Sequence, residues 1–208
     1  MINDILNIDR IRVGYDGETV FTDLSFRIKE GEKVVITGDS GKGKTSLINA
    51  LLGFIPVSQG KITWFDKELN KENISSIRKN ISWLPQETAL YFDSVKEMIH
   101  TPFTFKNNKT AAPTEKEIFE VFKIFNLKND ILNKKIDEIS GGQKQRLLLT
   151  GIYLLHKPVM ILDEPTSSVD ENNKKIITDF ILSQKELTVI AISHDPYWIR
   201  KSQKIIAL

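Results

Sequence analysis

The 208-residue chain contains no cysteine, which excludes a disulfide framework and any metal site built on thiolates. No apolar run approaches the ~18–20 residues that a membrane-crossing helix needs. One of the longest, Leu51 to Val57, is broken at Gly53 and Pro56. The opening Met1-Ile-Asn-Asp4 lacks the basic region and apolar stretch of a secretory leader. Charge of one sign is not in excess either, since 29 basic and 27 acidic residues leave a net +2. That balance supplies no electrostatic footprint for nucleic acid, and none is expected as a partner. Internal repeats and low-complexity linkers are missing too. A globular chain with a cytosolic location is the default expectation, and its 40% hydrophobic residues can fill one sizeable core or two small lobes sharing one. Local basic runs, Phe105 to Lys109 and Asn133 to Lys135, read as solvated faces.

Along the chain, β-like segments crowd the first third: Ile8 to Val13, Leu24 to Ile28, Val34 to Thr37 and Lys61 to Phe65. Turn dipeptides Asp16-Gly17, Glu30-Gly31 and Gln59-Gly60 separate them, so a sheet is expected here. From Thr114 to Leu155 the spacing becomes helical, with Ile118, Val121, Phe122 and Phe125 on one stripe. Two continuous apolar runs follow, Val159 to Leu162 and Thr188 to Ile192, around a helical stretch Glu171 to Ser183. Such runs are expected of buried parallel strands. The order predicts an α/β core with a helical lobe inserted between about Glu87 and Lys157.

The densest local signal is Gly38-Asp-Ser-Gly-Lys-Gly-Lys-Thr45, which fits G-x-x-x-x-G-K-[ST] between a strand-like and a helix-like segment. Glycines at 38, 41 and 43 let successive backbone N–H groups curl around phosphate oxygens, and the following helix start adds partial positive charge. Lys44 is placed to bridge β- and γ-phosphates, and the Thr45 hydroxyl to ligate Mg²⁺. A phosphate cradle of this kind serves kinases, GTPases and motors alike, so the rest of the chain must choose.

Val159-Met-Ile-Leu-Asp163-Glu164 is a buried strand ending in adjacent carboxylates, where open α/β sheets place ligand-contacting groups. Asp163 is expected to hold Mg²⁺ and Glu164 to polarise an attacking water. Ile139-Ser-Gly-Gly-Gln-Lys-Gln-Arg146 contains Ser140 and Gln143 in capping-box spacing, which a plain helix start would also explain. Gly141 and Gly142 sacrifice helix propensity while baring backbone N–H groups to an anion.

With these motifs in this order, the sequence resembles the nucleotide-binding subunit of ATP-binding cassette (ABC) transporters over nearly its whole length. Gln86 in Trp83-Leu-Pro-Gln-Glu87, Ser167-Ser-Val-Asp170 and His194 in Ala191-Ile-Ser-His-Asp195 extend the likeness. Tyr15 matches the aromatic residue that stacks on adenine.

The resemblance implies a P-loop NTPase fold of the ABC type: a RecA-like core, an N-terminal antiparallel β subdomain and an inserted helical subdomain. Residues 1–208 would form a single ABC ATPase domain, with 1–86 and 158–208 as core and β subdomain and 87–157 as the helical part. It implies ATP and Mg²⁺ as cofactors and a homodimer, head to tail, with ATP between the phosphate loop of one copy and the Ser140 helix of the other. Gly38, Asp39, Ser40, Gly41, Lys42, Gly43, Lys44, Thr45 and Ser46 would hold triphosphate, with Ser140, Gly141, Gly142 and Gln143 arriving from the second copy. Glu164 would be general base, His194 would contact the γ-phosphate, Gln86 would sense it beside the metal, and Asp170 would couple the two sites. His100 and His156 match no motif and are expected to be structural.

Two departures stand out: Lys42 adds charge at a variable loop position, and the stretch Leu147 to Leu155 follows the Ser140 motif where the family usually has an Arg-Ala pair. An integral membrane permease on another chain is the implied partner, reached in part through Glu87 to Phe105, with this chain peripheral on the cytoplasmic face. The likeness is strongest to bacterial iron-export systems. The alternatives are a soluble ABC-type ATPase of DNA repair or translation, and a nucleotide-gated scaffold.

Overall fold

The computed structural model describes residues 3–15, 18–39, 41–86 and 91–208, with the backbone alone at Tyr15 and Glu18. The elements in chain order are β1 (Asp4–Tyr15), β2 (Glu18–Lys29), β3 (Lys33–Thr37), α1 (Lys44–Leu51), β4 (Gln59–Trp64), β5 (Lys67–Glu68), α2 (Ile74–Arg78) and β6 (Ile81–Leu84). They continue with α3 (Val95–His100), α4 (Glu115–Ile124), α5 (Gly141–Tyr153), β7 (Val159–Asp163), α6 (Glu171–Ser183), β8 (Thr188–Ile192), α7 (Pro196–Lys201) and β9 (Lys204–Ala207).

β1 and β2 form a long antiparallel hairpin, Ile8 facing Phe26 and Ile11 facing Leu24. β4 pairs with the other edge of β1, giving the sheet order β2-β1-β4-β5. The second sheet is wholly parallel, in the order β6-β7-β8-β3-β9.

The early strands therefore divide between two sheets, where the sequence reads as one. Lys33 to Thr37 is a near-continuous apolar run buried from Lys33 to Ile36, and it lies inside the parallel sheet between β8 and β9. A strand covered on both faces needs no polar alternation, whereas β1 and β2 keep one face toward solvent. β6 is a strand that the sequence reading omits: Ser82 interrupts its apolar run. The hydroxyl is buried and donates to Val159 O at 3.3 Å, so a polar residue sits in the sheet at little cost.

Alternation along the parallel strands sorts the core into two layers. Val34, Ile36, Ile161, Ile190 and Ile192 face the antiparallel sheet and α1, packing with Ile8, Leu47 and Ile62. Val35, Leu162, Val189 and Ala191 face the other way, onto Ile118, Phe122, Leu147 and Ile177. Consecutive residues of one strand thus hold opposite lobes of the molecule. Between β6 and β7 the chain is helical as expected, with α3, α4 and α5 joined by 3₁₀ turns. α4 buries Ile118, Val121 and Phe122, and Phe125 caps its end in the same layer.

Candidate functional site

All strands of the second sheet run the same way, so their carboxyl ends gather at one edge. Leaving β3, the chain passes Gly38 and Gly41 and enters α1 through Gly43, whose φ is 84°. The side chains of Val20 and Phe21 crowd the place where a Cβ would stand at Gly43, so both conformation and space demand glycine there. Among the described residues no side chain caps α1, and no acidic residue sits in its first turn. Its leading N–H groups are left for an anion. Lys44 Nζ donates to Gly38 O (2.8 Å) and Asp39 O (2.9 Å), which folds the loop back onto its own lysine. A phosphate arriving here would replace those two acceptors.

β7 is buried throughout and ends on Asp163, whose Oδ2 accepts from the Thr45 hydroxyl at 3.3 Å. Burial raises the Asp163 carboxyl above the ordinary aspartate range, opposed by the Thr45 hydrogen bond and by Lys44. Glu164 follows with φ of 48°, an unfavourable conformation for a side-chain-bearing residue, and donates its N–H to Ile192 O at 3.0 Å. That strained turn aims the carboxylate into the cleft instead of along the strand. Burial pushes its carboxyl up as well; His194 opposes the rise, and Asp163 adds to it. His194, just past β8, brings Nε2 to 3.8 Å from Glu164 Oε1.

Gln86, two residues past β6, completes an open cleft of about 630 Å³ lined by Gly41, Gly43, Lys44, Thr45, Ser46, Gln86, Asp163, Glu164 and His194. The fold thus joins the ends of β3, β6, β7 and β8 in one place. Ser167 and Ile192 line it too, although the sequence assigns neither a role. Ser167 lies where the chain doubles back after Glu164, its N–H on Glu164 O at 3.3 Å, a turn that only the folded chain displays.

The remaining expected residues fall elsewhere. Gly38 and Asp39 act through their carbonyls on Lys44, and the Lys42 side chain is exposed outside the cleft lining. Ser40 and the Tyr15 side chain lie outside the described residues. Ser140, Gly141, Gly142, Gln143 and Asp170 are absent from the lining of this chain's own cleft.

Ser140 caps α5 reciprocally, its hydroxyl accepting from Gln143 N–H (3.2 Å) and its N–H donating to Gln143 Oε1 (2.9 Å). A Cβ on Gly142 would stand 2.9 Å from Ser168 O, while one on Gly141 would meet nothing within 4 Å. Gly142 is therefore set by packing, and Gly141 faces open space. Gln145 Nε2 donates to Pro165 O (2.9 Å). Arg146 bonds Gly142 O, Phe125 O and Asn126 O at 2.7–3.2 Å. These two side chains fix the start of α5 to the turn after Glu164 and to the end of α4. Asp170 caps α6, its carboxyl held below the ordinary range by Asn173.

Residues 21–167 match the family described as ABC transporter. The chain is 29% identical to the probable ABC transporter ATP-binding protein p29 of Mycoplasma pneumoniae, over 100% of this chain and 90% of that one. It is 31% identical to the mitochondrial iron-sulfur clusters transporter ATM1 of Debaryomyces hansenii, covering 98% of this chain but only 30% of that protein. It is 32% identical to the spermidine/putrescine import ATP-binding protein PotA of Mycoplasma mycoides subsp. mycoides, over 94% and 56% respectively. Among solved structures, a dimeric ATP-binding cassette in a post-hydrolysis state with ADP and Pi superposes at a TM-score of 0.85. At 24% identity, with 98% of this chain and 94% of that one covered, it attests the fold. The chain therefore belongs to the ABC transporter family as its ATPase cassette.

Proposed function

We propose that the cassette binds ATP with Mg²⁺ in the cleft at the ends of β3, β6, β7 and β8, and hydrolyses it between two head-to-tail copies to drive a membrane transporter. The observation that carries this reading is a division. Lys44, Thr45, Gln86, Asp163, Glu164 and His194 share one cleft, whereas Ser140 to Gln143 stand outside it at the capped, glycine-led start of α5. A second copy, turned about, would bring that helix start to the first copy's γ-phosphate. Tyr15 is assigned to the adenine and Asp170 to coupling of the two sites.

In the hydrolytic step Glu164 accepts a proton from the attacking water, while His194 contacts the γ-phosphate and orients Glu164. Lys44 and the N–H groups of α1 stabilise charge on the phosphoryl oxygens. Mg²⁺ fits the oxygen donors present, the Thr45 hydroxyl and Asp163 carboxylate 3.3 Å apart, with Gln86 on the same cleft wall. A small hard cation takes one or two protein oxygens and completes its shell with water and phosphate. When bound it would neutralise β- and γ-phosphate charge.

No described helix is long and apolar enough to cross a membrane. The membrane-spanning part is assigned to a separate permease chain, as the near-full-length match to p29 supports, with this chain peripheral on the cytoplasmic face. A groove of about 480 Å³ among β6, α3 and α5 suits that contact: Trp83, Phe92, Met98, Pro102, Phe105 and Leu148 line it. The Trp83 indole N–H, though buried, has no hydrogen-bond partner among the described residues. Of the expected permease segment, Phe92 to Phe105 contributes to this wall, and residues 87–90 lie outside the description.

Iron export is the proposed task of the assembled transporter, in line with the likeness to an iron-sulfur clusters transporter. Because identity is similar to an iron-sulfur clusters transporter and to a spermidine/putrescine importer, we assign the choice of cargo to the membrane chain. Residues 1–208 are assigned to one cassette, with 87–157 as its helical subdomain.

The test is Glu164→Gln. ATP binding is expected to persist, turnover to fall on the order of 10²-fold or more, and ATP to trap a dimer on gel filtration. Unchanged turnover would remove Glu164 as base, and a complex held only with ribosomes or DNA would overturn the transport reading.

A further inference from the structure

Lys174, in the first turn of α6, belongs to no motif found in the sequence. Its ammonium lies between Glu171 Oε1 and Asp195 Oδ2, 2.8 Å from each. The first contact is solvated, because Glu171 is 78% exposed, and contributes little. The second is shielded: the Lys174 and Asp195 side chains are 16% and 13% exposed.

Asp195 directly follows His194, and its two oxygens are divided between tasks. Oδ1 caps α7 by accepting from Tyr197 N–H at 2.7 Å, and Oδ2 takes Lys174. Asp195 N–H donates to the hydroxyl of Ser193 at 3.1 Å, and buried Ser193 donates its own N–H to Ile36 O at 3.4 Å. The peptide of His194 is thus strung between two fixed neighbours. The imidazole itself is about half exposed and makes no side-chain hydrogen bond among the described residues, so its aim follows the backbone at 193–195. At its other end Lys174 donates its N–H to Asp170 O at 2.8 Å, on the residue that caps α6. Gly142 of α5 packs against Ser168 in the same turn.

We propose that Lys174 is a positioning residue for hydrolysis: through Asp195 it holds the His194 ring in register with the 167–170 turn on which the Ser140 helix rests. This rests on the reading of His194 as a phosphate contact. Without the ammonium, Asp195 keeps its cap on α7 but loses its lateral tie, and the histidine backbone is freed on one side.

Lys174→Met, Lys174→Arg, Asp195→Asn and His194→Ala in the full chain test it. The expected result for Lys174→Met is a kcat lower by about 5- to 10-fold with KM for ATP within about twofold. Lys174→Arg restores at least half of the rate. Asp195→Asn, whose amide oxygen can still cap α7, reproduces the Met variant should that one fold poorly. In the His194→Ala background Lys174→Met costs nothing further.

The chain has only three histidines, so the His194 Cε1–H proton resonance can be followed directly. It shifts in Lys174→Met while those of His100 and His156 stay, and this readout needs no turnover. An unmoved His194 resonance with wild-type kcat, or losses that multiply in the His194→Ala background, overturns the proposal. A wild-type rate in His194→Ala alone overturns the role given to His194 instead.

Discussion

At the scale of single residues, the cleft is held in a state that costs the nucleotide-free protein stability. Glu164 sits at φ 48°, and burial raises both its carboxyl and that of Asp163. A carboxyl raised on folding contributes stability that is full below its unfolded value, ordinarily 4.5 for glutamate, and lost as pH rises through the folded value. Glu164→Gln is therefore expected to melt about 2–4 °C higher than the parent at neutral pH without nucleotide, the shift that ~1 kcal/mol produces in a chain of this size. The advantage should vanish below about pH 4, and calorimetry across that range checks it; a pH-independent difference would exclude the electrostatic origin. Lys44 is the opposite case, since its ammonium bonds the carbonyls of Gly38 and Asp39, which a phosphate would replace. Lys44→Ala should weaken ATP binding about 10- to 100-fold, the worth of a charge-assisted hydrogen bond or two, in a titration with a fluorescent ATP analogue.

At the scale of elements, α5 separates two kinds of glycine. Gly142→Ala drives a Cβ against Ser168 O at 2.9 Å, and so should cost about 1–3 kcal/mol of unfolding free energy in urea. Gly141→Ala meets open space and should gain up to ~1 kcal/mol of helix propensity, yet lower hydrolysis if that surface receives the second copy's nucleotide. Full activity in Gly141→Ala would remove this surface from the site. Lys33, buried at the start of β3, bonds the carbonyls of Gly31, Gln184 and Leu187, tying the end of α6 to the sheet. Lys33→Met strands those acceptors and should cost about 2–4 kcal/mol, read from the midpoint of a denaturant curve. Nothing in the apolar run beginning at Lys33 marks it as a ligand of helix ends, because its acceptors are remote in sequence.

At the scale of the whole molecule, one copy carries a cleft and, apart from it, a capped helix start. Light scattering should find Glu164→Gln monomeric without nucleotide and dimeric with ATP and magnesium, and chelation of the metal should stop hydrolysis in the parent chain. A dimer indifferent to ATP would contradict the shared-nucleotide arrangement. Much of this was legible in the chain itself. Glycine spacing, the Lys44-Thr45 pair, the acids closing an apolar run and the capped Ser140 helix are local patterns, governed by backbone freedom, strand burial and capping within a few residues. The sequence alone therefore determined the glycine-rich loop, the candidate polar residues of the cleft and the α/β class. Tertiary structure decided that β3 leaves its neighbours for the parallel sheet and that β6 joins it to deliver Gln86. It also decided that Gln145 bonds Pro165 O in the turn after Glu164, that Arg146 bonds Gly142 O, and that Lys174 pairs with Asp195 beside His194. Those outcomes depend on contacts between residues far apart in the chain, whose burial and charge pairing arise only once both sheets have closed on a common core.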